Sequence, residues 1–124
     1  MSGIVNVLIV DDSGYMRTVI RKYLEQQGMV IAAEAANGIE AIELYEKHKP
    51  TIVTMDISMK KLGGIEATKS IRQLDPNAKI IMISALGEAR FIKEAIQSGA
   101  ADFIIKPFEP ERLVSSIQSV LNRP

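Results

Sequence analysis

LIVDDSGYMR, residues 8 to 17, opens as a run of apolar strand formers, stops on two adjacent carboxylates, and passes into a segment of helical spacing. A strand that feeds straight into a helix is the βα unit from which parallel sheets are built. The acid pair at the junction is out of keeping with a plain strand end, because each charge raises the cost of ionising the other. Asp11 and Asp12 therefore call for a cation, and the question is what else the chain brings beside them.

The same alternation recurs five times. Strands are predicted over 4–10 (IVNVLIV), 29–35 (MVIAAEA), 51–56 (TIVTMD), 79–85 (KIIMISA) and 101–106 (ADFIIK). Most are continuous apolar runs, the pattern of parallel strands covered on both faces.

Helical periodicities lie between them. Met16, Val19, Ile20, Tyr23 and Leu24 share one face, and Gly28 is placed to stop that helix. Asn37 with Glu40 forms an Asn-led variant of the capping box ahead of Ile39, Ala41, Ile42 and Tyr45. Ile65, Thr68, Ile71 and Leu74 run to the stop signal Asp75-Pro76. Phe91, Ile92, Ala95 and Ile96 end at Gly99. Leu113, Val114, Ile117, Val120 and Leu121 follow Pro110, a good first-turn residue.

Repeated βα units with right-handed crossovers give an α/β fold, an open parallel sheet with helices on both sides. At 124 residues the chain has room for one domain, 1–124, and the five-stranded doubly wound order 2-1-3-4-5 suits that length. Fifteen basic residues balance fifteen acidic ones, so no net field draws the chain to nucleic acid or an anionic membrane. It contains no cysteine, which excludes disulfides and thiolate metal sites and fits a cytoplasmic protein. The first residues lack a basic region, and their apolar run is too short for a signal peptide or a membrane span.

In a sheet of this order, ligands bind beyond the carboxyl ends of the strands, beside strand 1. Strand 1 brings Asp11 and Asp12 there, strand 3 Asp56, strand 4 Ser84 and strand 5 Lys106. Taken singly, each has an ordinary explanation: a helix cap for either acid of the pair, a solvated loop acid, a turn serine, a surface lysine. Their joint arrival on one edge after four different strands marks a site. Three carboxylates against one ammonium carry net negative charge, and hard oxygen donors favour Mg²⁺, with Mn²⁺ and Ca²⁺ as alternatives. Acid pair, metal, lone hydroxyl and lone ammonium are what phosphoryl transfer to a carboxylate requires.

The segments VDD at 10–12, TMD at 54–56, ISA at 83–85 and IKPF at 105–108 resemble the receiver domain of two-component response regulators, over essentially the whole chain. Within that family the chain is similar to stand-alone chemotaxis receivers of the CheY type, which implies a flavodoxin-like, CheY-like fold and no output domain. The resemblance implies that Asp56 is the phosphoryl acceptor and that Asp12, Asp56 and the Ser58 backbone carbonyl bind Mg²⁺, with Asp11 acting through water. Ser84 and Lys106 would each engage a phosphoryl oxygen, and Ser84 would be coupled to the aromatic Phe103 as the switch. Small Ala85 would leave room for that movement. It further implies a cis peptide at Lys106-Pro107. The implied partners are a sensor histidine kinase, a flagellar motor switch or phosphorelay protein, and a phosphatase, with neither nucleic acid nor membrane among them.

The loop after Asp56 departs from the family pattern. Residues 59 to 64 read MKKLGG, with Lys60 where proline is usual and Gly63 where a polar residue precedes Gly64. Losing a proline and gaining a glycine predicts a more mobile loop. Ser58 and Leu86, two places after Asp56 and Ser84, stand where side chains tune access of hydrolytic water. His48, the only histidine, closes a helix between two lysines, and is expected to be a solvated terminus. The chain is expected not to be an enzyme beyond accepting and shedding its own phosphoryl group. A phosphorelay carrier is the alternative within the family. A magnesium-dependent aspartyl phosphohydrolase would want D-x-D after strand 1, where this chain has DDSG. A flavin binder would want a phosphate loop where two anions stand.

Overall fold

The computed structural model describes residues 3–123. The elements alternate as the sequence predicts: β1 (Asn6–Val10), α1 (Gly14–Gln26), β2 (Val30–Ala35), α2 (Gly38–His48), β3 (Ile52–Met55), α3 (Gly64–Leu74), β4 (Ile80–Ser84), α4 (Ala89–Ser98), β5 (Asp102–Ile105) and α5 (Pro110–Leu121). All four strand pairs are parallel and the order is β2-β1-β3-β4-β5. Each strand is shorter than its apolar run by one or two residues.

Side-chain alternation sends the two sets of strand residues to opposite layers. Leu8, Val10, Val53, Met55, Ile80, Met82 and Phe103 pack with α2, α3 and α4 through Ala41, Tyr45, Ala67, Ile71 and Ala95. Val7, Ile9, Ile52, Ile81, Ile83 and Ile104 pack with α1 and α5 through Ile20, Leu24, Leu113, Ile117 and Val120. Three expected face residues stand largely outside the core: Ile39, Leu74 and Ile96 are each about half exposed.

Local signals hold at the helix ends, with two adjustments. Asn37 accepts from Glu40 N at 2.9 Å, while Glu40 reaches back to Ala36 N at 2.8 Å, one residue earlier than a standard box. α1 is capped by Ser13, whose hydroxyl accepts from Met16 N. Neither aspartate is the cap, so both are free for other work. Gly28 and Gly99 take the positive φ that ends α1 and α4. Among the described residues, no helix is long and apolar enough to cross a membrane.

One tie joins α2 to the turn after α3. The Tyr45 hydroxyl donates to Asp75 at 2.7 Å; burial, then this bond, push the phenol pKa up, and the bond holds the Asp75 carboxyl below its ordinary value. Tyr45→Phe keeps the ring and loses the bond, so urea denaturation at pH 7 is expected to show a loss of about 1 kcal/mol. An unchanged midpoint would mean that solvent replaces the bond at no cost.

Candidate functional site

The polar residues at the sheet edge are held by the ladder itself. Ser84 closes β4, and Asp11, Asp56 and Lys106 each lie one residue past a strand yet still pair through the backbone: Asp11 N donates to Ala35 O at 3.0 Å, Asp56 N to Val10 O at 3.0 Å, and Lys106 N to Ser84 O at 2.9 Å. Continuous apolar strands of fixed register therefore decide which side chains emerge together, since a slip of one residue would turn every one of them to the other face.

Asp11, Asp12 and Asp56 each offer a carboxylate oxygen, and these oxygens lie within 4.8 Å of one another. The three acids differ in their bonding. Asp11 is buried, with one carboxylate oxygen accepting from Ser13 N at 2.9 Å and the other from Lys106 Nζ at 2.8 Å. Asp56 is also buried, and Lys106 Nζ stands 3.6 Å from its Oδ2. Asp12 is exposed at the mouth. Burial, reinforced by the neighbouring acids and opposed by Lys106, pushes the Asp56 carboxyl up to about 6. Three oxygen donors of one sign against a single ammonium fit a hard divalent cation, which would relieve that crowding. Asp11, Asp12 and Asp56 are the side chains able to hold it.

Ser84 ends β4 buried, its Oγ accepting from Leu86 N at 3.0 Å, which leaves the hydroxyl proton to serve as a donor. Phe103 pairs across from Met82, and Ser84 from Ile105, so Ser84 and Phe103 lie on the same sheet face, toward α4. Ser58 is exposed. The Lys106-Pro107 peptide is cis.

The segment after Asp56 is anchored where the sequence predicts looseness. Gly64 N donates to Ile57 O, Gly38 N donates to Leu62 O, and Met59 and Leu62 pack against the core. Lys61 and Leu62 both adopt positive φ, a conformation that side chains other than glycine's disfavour. Gly64 is required by contact: a Cβ there would meet Asp56 O at 1.9 Å.

Two residues near the site escape sequence reasoning. Gly64 closes the MKKLGG loop, and only the fold reveals its approach to Asp56. Arg17 lies off the apolar face of its helix, yet it reaches the Asp11 carbonyl and Glu34 of β2, 17 positions from it. An arginine four residues before Arg21 on the rim of an apolar stripe is the only signal it carries.

Comparison with known proteins agrees with this geometry. The profile of the response regulator receiver domain matches residues 7–118. The chain is 50% identical over 114 residues to chemotaxis protein CheY of Thermotoga maritima, covering 92% of this chain and 95% of that one. It is 47% identical over 116 residues to CheY of Bacillus subtilis, covering 94% and 97%. It superposes with a TM-score of 0.93 and 40% identity on a chain of the CheX-CheY-BeF3-Mg²⁺ complex from Borrelia burgdorferi, covering 98% of this chain and 92% of that one. A five-stranded 2-1-3-4-5 sheet, three acids and a lysine gathered on its edge, and a profile match over most of the length together make this chain a member of the response regulator receiver domain family.

Proposed function

We propose that this chain is a Mg²⁺-dependent phosphorylation switch of chemotaxis, acting in the cytoplasm between a sensor histidine kinase and a flagellar motor switch protein. The observation that carries the reading is Asp56: a buried carboxylate at a strand end, with Lys106 Nζ 3.6 Å away and two further acids within reach of a shared cation.

A carboxylate oxygen of Asp56 attacks the phosphorus of a phosphohistidine. The P–N bond breaks, an acyl phosphate forms, and the leaving imidazole takes up a proton. Lys106, placed between Asp11 and Asp56, offers its ammonium to an oxygen of the transferring group. Ser84 offers its hydroxyl proton to another. Asp12, Asp56 and the Ser58 carbonyl would hold Mg²⁺ directly and Asp11 would reach it through water; Mn²⁺ fits the same donors. The ion, when bound, supplies positive charge against the phosphoryl oxygens.

Drawing Ser84 toward the phosphate is coupled to Phe103 on the same face, and this changes the surface made by α4, β5 and α5. Ile96 and Ile105 give that surface an apolar component, each 48% exposed. Incubation with Mg²⁺ and acetyl phosphate should yield an acid-stable, base-labile adduct at Asp56, found by peptide mass spectrometry. A chain that stays unmodified with donor and metal in excess would refute the proposal.

A further inference from the structure

We propose that Arg17 is a positioning residue for the acid pair, held to that task by Glu34; the inference rests on the metal reading of the site. All four polar groups of Asp11 are bonded: N to Ala35 O, Oδ1 from Ser13 N, Oδ2 from Lys106, and the carbonyl from Arg17 Nη1 at 2.5 Å. That carbonyl belongs to the peptide joining Asp11 to Asp12. Gripping it fixes the peptide plane, and with it the direction in which the exposed Asp12 side chain leaves the backbone.

The grip is itself secured. Arg17 Nε bonds Glu34 Oε1 at 3.2 Å, and the other oxygen of Glu34 takes Arg21. Arg17 and Glu34 are about three-quarters buried, so this is more than a solvated surface pair. A planar guanidinium can serve the carbonyl and the carboxylate together, which a single ammonium cannot. The arrangement links α1, the β1 terminus and the edge strand β2.

Charge and position act in opposite directions here, which makes the idea testable. Two arginines and one glutamate leave a local charge of one positive unit beside a cation site. Removing Arg17 would strengthen Mg²⁺ binding if electrostatics ruled, and weaken it if positioning rules.

The experiment measures Mg²⁺ affinity by isothermal titration calorimetry without a phosphodonor, together with the Mg²⁺ dependence of acetyl phosphate labelling. The variants are Arg17→Met, which keeps the aliphatic stem, Arg17→Lys and Glu34→Gln. Arg17→Met is expected to raise the Mg²⁺ Kd about tenfold. The half-saturating Mg²⁺ for labelling should move equally, while the rate at saturating Mg²⁺ stays within about twofold. Arg17→Lys should recover part of the loss, and Glu34→Gln should err in the same direction as Arg17→Met by a smaller factor. An Arg17→Met protein with a lowered melting temperature but unchanged or tighter Mg²⁺ binding would overturn the proposal. If the unaltered protein takes up no Mg²⁺, the metal reading falls and this inference falls with it.

Discussion

Asp56→Asn is expected to abolish labelling by acetyl phosphate, a loss of at least about a thousandfold, because the amide has no nucleophilic oxygen to offer. The same variant should be more stable than its parent in metal-free buffer at pH 7.5. Burial, with Asp11 and Asp12 adding and Lys106 opposing, raises the Asp56 carboxyl from 3.8 to about 6. Below pH 3.8 both folded and unfolded chains carry the proton. Between 3.8 and 6 the unfolded chain releases it first, so the fold loses stability as pH rises; above 6 the penalty is constant. A displacement of that size is worth at most roughly 3 kcal/mol, since Asp56 keeps some contact with solvent. Asparagine should therefore recover about 1–2 kcal/mol at pH 7.5 and nothing at pH 3.5, measured by urea denaturation with a chelator present. Saturating the parent with Mg²⁺ should narrow the gap, since ligand binding stabilises only the folded state. An asparagine variant weaker than its parent at pH 7.5 would show that burial does not strain this carboxylate.

Gly64→Ala is expected to cost about 3 kcal/mol or more and to slow labelling at Asp56. The added methyl would sit 1.9 Å from Asp56 O and 2.8 Å from its carbonyl carbon, so backbone must move. Gly64 carries no positive φ, and its need is one of approach: α3 starts against the peptide that follows Asp56. Displacing that peptide shifts Asp56 relative to Lys106, which already stands at 3.6 Å. Chemical denaturation with circular dichroism reads the first effect and mass spectrometry the second. A variant within about 1 kcal/mol of its parent, labelled at the parent's rate, would mean that the start of α3 has slack.

Residues such as Val7 to Val10 and Ile80 to Ile83 are legible because burial on both faces demands continuous apolar runs, a signal that local sequence carries in full. Gly28, Asn37, Gly99 and Pro110 are equally local, since caps and stops act within one turn. The strand order then collects Asp11, Asp12, Asp56, Ser84 and Lys106, so the membership of the candidate site could be read before the fold was seen. The limits of the core could not: Ile39, Leu74 and Ile96 satisfy the helical period, yet the packed fold leaves them half exposed. Nor could the cap of α1: the sequence offers Asp11 or Asp12, and Ser13 takes it because its hydroxyl reaches Met16 N while Asp11 faces Lys106.

Apolar periodicity and turn chemistry, acting over a few residues, were enough to determine the alternating βα architecture, its strand order and the five polar side chains at its edge. Tertiary structure alone decided how those side chains are held against one another. Lys106 leans on Asp11 more closely than on Asp56, Arg17 grips the acid pair from α1 through an anchor on β2, and α3 comes so near Asp56 that only glycine fits. The physical reason is range: hydrogen bonds, Coulomb interactions and close contacts act through space between residues far apart in the chain, and local sequence leaves no trace of them.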